Sequence, residues 1–140
     1  LNDPKDRVLD SYALLAYLEN EAGAPQVKSL LRQAATGPSR LWMSIVNLGE
    51  VLYITERERG LAHSRNVLAA VDQLPVDMVL ADRAQTLAAA HIKARFPLSY
   101  ADAFAAALAQ TKGIPLVTGD EEFSRVESLV AIEWLPKKRS

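Results

Sequence analysis

Four carboxylates of this chain stand where a charged side chain is costly. Asp10 follows the apolar pair Val8-Leu9, and Glu50 is flanked by Leu48, Val51 and Leu52. Asp102 is set among Ala101, Ala103, Phe104 and Ala105, and Asp120 closes the run Pro115-Leu116-Val117-Thr118-Gly119. An ionised carboxylate against apolar walls needs a partner or a cation. Several together raise one another's pKa unless a divalent ion neutralises them. Each also has an ordinary reading. Asp10 and Asp120 suit helix N-caps, Glu50 an exposed helix stripe, and Asp102 a first-turn acid favoured by the helix dipole. Brought together, they form an oxygen-only donor set suited to Mg²⁺ or Mn²⁺. A water acidified by such an ion is a nucleophile at neutral pH. Carboxylates with a hard cation and no serine–histidine pairing point to phosphodiester hydrolysis rather than acyl transfer.

These acids meet only if the elements around them allow it. Val8-Leu9, 41–45, 76–80, 115–117 and, as a fifth candidate, 130–132 read as short apolar strands. Helical spacing follows in Ala13-Leu14-Leu15 with Leu18, and in Val27, Leu30 and Leu31, with a break at 21–25 between them. Further helices are predicted over 46–59, stopped by Gly60, and over 61–74, ended by Pro75. Asp82 is placed to cap a helix that Pro97 ends, and Ser99 to cap an alanine-rich helix over 100–112, closed by Gly113. Strands that are apolar throughout and alternate with helices predict a parallel sheet covered on both faces. Ligands of such sheets bind beyond the carboxyl ends of the strands, where the strand order switches.

Composition narrows the classes. The chain has 140 residues, 49% hydrophobic and 24% charged, which predicts one globular domain over 1–140. Sixteen Lys and Arg against 17 Asp and Glu leave a net charge of −1, so no global basic field draws it to a polyanion. It has no cysteine, which excludes a disulfide framework or thiolate metal site. His63 and His91, its two histidines, read as surface or core residues rather than ligands. Charges interrupt every apolar run before a membrane span is reached. The opening segment is polar, and the expectation is a soluble cytoplasmic protein.

Four ordered segments carry a resemblance: Val8-Leu9-Asp10-Ser11; Ser44-Ile45-Val46-Asn47-Leu48-Gly49-Glu50-Val51; Leu98-Ser99-Tyr100-Ala101-Asp102-Ala103; and Thr118-Gly119-Asp120-Glu121-Glu122-Phe123. Together they span nearly the whole chain, which resembles the PIN domains and, more narrowly, the VapC toxin subunits of toxin–antitoxin pairs. The resemblance implies an α/β/α sandwich with a mainly parallel sheet of four to five strands, and a Mg²⁺- or Mn²⁺-dependent endoribonuclease. It assigns Asp10, Glu50, Asp102 and Asp120 to the catalytic acids. Asp10 and Asp102 would be direct metal ligands, Asp120 a ligand directly or through water, and Glu50 would position or deprotonate the attacking water. Glu122 is an auxiliary acid, and Ser11 and Thr118 are hydroxyls that orient a carboxylate or water. Asn47 either does the same or caps a helix. The resemblance also implies a homodimer and a VapB-like antitoxin lying across the site.

RNA contacts are weaker expectations: Arg57, Arg59 and Arg65 around the Gly60 turn, and the tail Lys137-Lys138-Arg139. Trp42 and Trp134 read as core or interface residues, and Tyr12, Leu15 and Tyr53 as core packing or a partner groove. Two alternatives stand beside the toxin: a PIN nuclease of housekeeping RNA processing, and a non-catalytic module whose acids bind a partner's arginines. A haloacid-dehalogenase-type phosphatase would need an acid where Tyr12 stands, and no Gly-rich phosphate loop ending in Lys-Ser/Thr is present.

Overall fold

The computed structural model describes residues 6–137. Its strands are β1 (Arg7–Leu9), β2 (Leu41–Ser44), β3 (Val76–Val79), β4 (Leu116–Thr118) and β5 (Ile132–Trp134). They pair in the order β3-β2-β1-β4-β5, every neighbouring pair parallel. Around them lie α1 (Ser11–Leu18), α2 (Ala24–Thr36), α3 (Ile45–Arg59), α4 (Leu61–Val71), α5 (Arg83–Arg95) and α6 (Tyr100–Lys112), with a 3-10 turn over Glu121–Val126.

Successive strand residues point to opposite faces, and the core divides accordingly. Val8, Trp42 and Leu116 pack with α5, α6 and the 3-10 turn. Leu9, Leu41 and Val117 pack with α1 and α2, and Met43 with α3 and α4. The result is the expected three-layer α/β/α sandwich. From Ala103 to Ala109, α6 is buried on every side, its alanines letting it lie close to its neighbours.

Capping residues set the boundaries. Ser44 is extended and accepts the Val46 amide, so β2 ends one residue short of the 41–45 expectation and α3 begins at Ile45. Pro25 lies in the first turn of α2, where its missing N–H costs nothing. The predicted helix over 61–74 stops at Val71; residues 72–74 tighten, with Leu74 N donating to Val71 O at 2.9 Å, because Pro75 disfavours helix before it. The fifth strand begins at Ile132 rather than 130, since Val130 N still donates to Val126 O at 3.0 Å and its side chain enters the core. Gly113 takes the left-handed conformation that closes α6, at φ 66°.

The chain steps outward from β1 to β2 to β3, then returns through α5 and α6 to place β4 on the other side of β1. The strand order therefore reverses between β1 and β4, and a crevice opens beyond their carboxyl ends. Among the described residues, no helix is long and apolar enough to cross a membrane.

Candidate active site

Asp10 leaves β1 in extended conformation and caps α1, its Oδ1 accepting the Ala13 amide at 2.9 Å. Its Oδ2 accepts from the Thr118 hydroxyl at 2.6 Å, and the Thr118 oxygen accepts the Asp120 amide at 3.0 Å. One buried hydroxyl thus ties the ends of β1 and β4 across the switch point. Asp120 in turn caps the 3-10 turn through Glu122 N at 3.0 Å. The capping readings of Asp10 and Asp120 are correct, and they are compatible with a site: each cap orients the carboxylate it uses.

Asp102 stands in the first turn of α6, whose cap Ser99 accepts its backbone amide at 3.1 Å. Glu50 projects from α3 and accepts a short hydrogen bond from the Ser11 hydroxyl. Asn47 is the third residue of α3 rather than its cap. Its Nδ2 donates to Ser11 Oγ at 3.3 Å and to Ala101 O at 3.1 Å. A relay therefore runs from the backbone beside Asp102 through Asn47 and Ser11 to Glu50. Asn47 Oδ1 is buried without a partner among the described residues.

The carboxylates of Asp10, Glu50, Asp102, Asp120 and Glu122 line one open cavity of about 330 Å³. Ser11, Tyr12 and Ser99 share its wall, and Leu15 and Ile54 form its apolar side. Among the described residues, no Lys, Arg or His lines it. Burial pushes Asp10 up to about 8; the bonds from Thr118 and Ala13 oppose this, and the charges of Asp102 and Asp120 add to it. Burial, then the charges of Asp120 and Glu50, push Asp102 up to about 7.

Among the described residues, no three such side chains already converge as a metal cage. They ring the cavity, as repelling charges do. The donor set nonetheless fits a hard divalent cation: every donor is oxygen, no cationic side chain competes, and two carboxylates are held towards their protonated forms by burial and mutual repulsion.

The other expectations fall elsewhere. Arg59 pairs with Glu19 at 3.0 Å, the Arg57 guanidinium lies 5.4 Å from the Tyr53 ring centroid, Arg65 is exposed, and none of the three lines the cavity. Lys137 pairs with Glu121, while Lys138 and Arg139 lie outside the described residues. Trp42 lies under Arg40 and Lys112, with centroid distances of 4.2 and 3.5 Å, and Trp134 donates to Glu127 at 3.3 Å. Sequence reasoning put Tyr12 on a helix near the site, as core packing or a partner groove, and did not mark Ser99 as a wall residue or Arg125 as a neighbour of the site. Arg125 holds Glu122 at 3.1 Å and the Pro97 carbonyl at 2.8 Å, tying the 3-10 turn to the loop before α6. Ser99 is legible only as a cap, and no pattern marks Arg125.

A parallel sheet with acids from four separate segments at its switch point defines a class of α/β proteins, and residues 7–129 match one family in it, described as PIN domain. The chain belongs to the PIN domain family. Its fold is that of solved toxin–antitoxin chains. A chain in the structure of VapBC2 from Rickettsia felis bound to a DNA fragment from its promoter superposes with a TM-score of 0.73, at 13% identity, covering 93% of this chain and 98% of that one. DNA-bound VapBC from Salmonella typhimurium gives 0.72 at 18% identity over 91% and 96%. VapC20 from Mycobacterium tuberculosis, a sarcin-ricin loop cleaving toxin, gives 0.68 at 21% identity over 85% and 93%. No curated protein matches the chain in sequence.

Proposed function

We propose that this single PIN domain is a Mg²⁺- or Mn²⁺-dependent endoribonuclease and the toxin of a toxin–antitoxin pair. The observation that carries the reading is that Asp10, Glu50, Asp102 and Asp120, with Glu122 at the rim paired to Arg125, line one cavity at the switch point of a PIN sheet. Asp10 and Asp102 would hold the ion directly and Asp120 directly or through water; when bound, the ion would supply Lewis-acid stabilisation of the phosphate and a water of lowered pKa. Glu50, aimed by Ser11 and Asn47, takes the proton of the attacking water. The water oxygen bonds to phosphorus as a phosphodiester P–O bond breaks. Thr118 keeps Asp10 oriented, and Glu122 is an outer acid steered by Arg125.

A VapB-like antitoxin is the partner, supported by the fold shared with chains of VapBC structures. The protein acts in the cytoplasm as a homodimer. Apolar surface at Leu80 and Leu87, 70% and 56% exposed, supports self-association.

The test is cleavage of a mixed RNA pool by the wild type and by Asp10→Asn, in Mg²⁺, Mn²⁺ or excess EDTA. Discrete wild-type cleavage, lost in EDTA and in the variant, is expected. Cleavage that survives EDTA, or an Asp10→Asn variant of full activity, overturns the reading.

A further inference from the structure

Among the described residues, Tyr12 is the one aromatic side chain on the wall of the acidic cavity. It lies two residues after Asp10, and its ring packs against the apolar cluster that contains Leu9, Val117 and Leu135. The space it fills is made by Gly119, between Thr118 and Asp120. A Cβ at Gly119 would overlap the Tyr12 ring at Cε1, and would stand 2.6 Å from Cζ and 2.9 Å from the hydroxyl oxygen. Contacts this short are sterically excluded. The backbone of Gly119 does not itself require glycine, since its φ is not positive. Position 119 is bare because Tyr12 occupies the space.

The seat has a consequence for the hydroxyl. Packed against the apolar cluster, the ring brings its hydroxyl edge to Gly119, in the loop that carries Asp120. That hydroxyl makes no hydrogen bond among the described residues. Nor is it a buried unpartnered atom, Asn47 Oδ1 being the one such side-chain atom among them. It therefore reaches solvent from a half-buried residue, beside carboxylates, with its hydrogen-bonding capacity unused. A phenol donates a hydrogen bond without bringing a positive charge. A lysine or arginine there would neutralise the carboxylates that a cation needs; a tyrosine leaves them available while still offering a donor to an anion.

We infer that Tyr12, seated on Gly119, is a substrate contact that donates its hydroxyl hydrogen bond to a non-bridging phosphate oxygen of an RNA strand in the acidic cavity. The inference rests on the nuclease reading for the identity of the anion, and its test separates the two.

Binding is measured by anisotropy of a fluorescein-labelled, mixed-sequence single-stranded oligoribonucleotide pool in Ca²⁺, and cleavage of the same pool in Mn²⁺. Wild type, Tyr12→Phe and Gly119→Ala are compared. Tyr12→Phe keeps the ring and removes only the oxygen. It is expected to weaken RNA binding about tenfold, the effect of losing one hydrogen bond to a charged group. Its melting temperature and its stabilisation by Mn²⁺ should stay at wild-type values. Gly119→Ala, which displaces the ring, should weaken binding at least as much. If Tyr12→Phe binds and cleaves as wild type does, the contact is refuted while the nuclease stands. If wild type binds without cleaving and Tyr12→Phe binds more weakly, the nuclease reading fails and the contact stands. If wild type neither binds nor cleaves, both fall.

Discussion

On the amino-terminal side of the sheet, Arg7 Nε donates to Glu133 at 2.7 Å and Arg40 reaches Asp77 at 2.9 Å, while Asp6 Oδ1 accepts the Arg40 amide at 2.8 Å. On the carboxyl side, Asp10, Asp102, Asp120 and Glu50 face one another across a cavity with no basic lining residue. Asp77 of β3 and Glu133 of β5 are thus answered by arginine, while the acids that follow β1 and β4, with those of α3 and α6, are left facing one another at the opposite edge. The acids of one edge are thus charge-compensated within the fold, while those of the other face a crevice that solvent enters, the feature on which the proposed cation site rests. The cost is visible in Asp10 and Asp102, which burial and repulsion push up to about 8 and about 7.

The contrast can be broken most severely at Asp102. Asp102→Asn keeps the shape and removes one carboxylate charge; on the proposed function, cleavage in Mn²⁺ should fall about a thousandfold, a loss of roughly 4 kcal/mol of transition-state stabilisation. Single-turnover assays measure this. Activity within a few-fold of wild type would remove Asp102 from the site.

The next largest effect is on folding. The carboxyls of Asp10 and Asp102, at 3.8 in the unfolded reference, titrate near 8 and 7 in the fold. Between these values the native state binds more protons than the unfolded state, so stability falls as pH rises. The contribution is complete below 3.8 and lost on passing through about 7 to 8. Urea melts of metal-free protein should show a midpoint lower at about pH 9 than at about pH 5, with a shallower slope in Asp102→Asn and recovery on adding Mg²⁺. A midpoint that rises over this range would contradict the desolvated-carboxylate picture.

A smaller change sharpens the role of the relay. Ser11→Ala releases Glu50 without touching a ligand, and should lower kcat about tenfold with KM nearly unchanged. Rescue by Ser11→Thr would distinguish orientation from packing. Smallest is the opposite edge: Arg7→Ala should cost about 1 kcal/mol in urea melts, because its pair with Glu133 is only partly buried, and should leave cleavage unchanged. A loss of activity there would dissolve the distinction between the two edges.

Much of this was legible before any coordinates. Asp10 and Asp120 announced themselves by ending apolar strands, Ser99 and Gly113 bracketed α6, and the continuous apolar strands required a sheet covered on both faces. Local rules suffice for such features, because caps, prolines and hydrophobic period act over a few residues. The departures are local too: Val130 joins the core ahead of its strand, and Ser44, the last residue of β2, caps α3, so Ile45 opens the helix instead of extending the strand.

What the linear order could not supply was the company each side chain keeps. Nothing near Tyr12 in sequence says that position 119 must be bare to receive it, since the two meet only because β1 and β4 are neighbours. Nor does anything near Arg59 in sequence say that α1 and α3 bring Glu19 within 3.0 Å of it. The sequence by itself determined which acids were out of place and which elements carry them, because burial cost and capping are properties of short stretches. Only the tertiary structure decided that those acids face one another without arginine, because that depends on a strand order that reverses between β1 and β4.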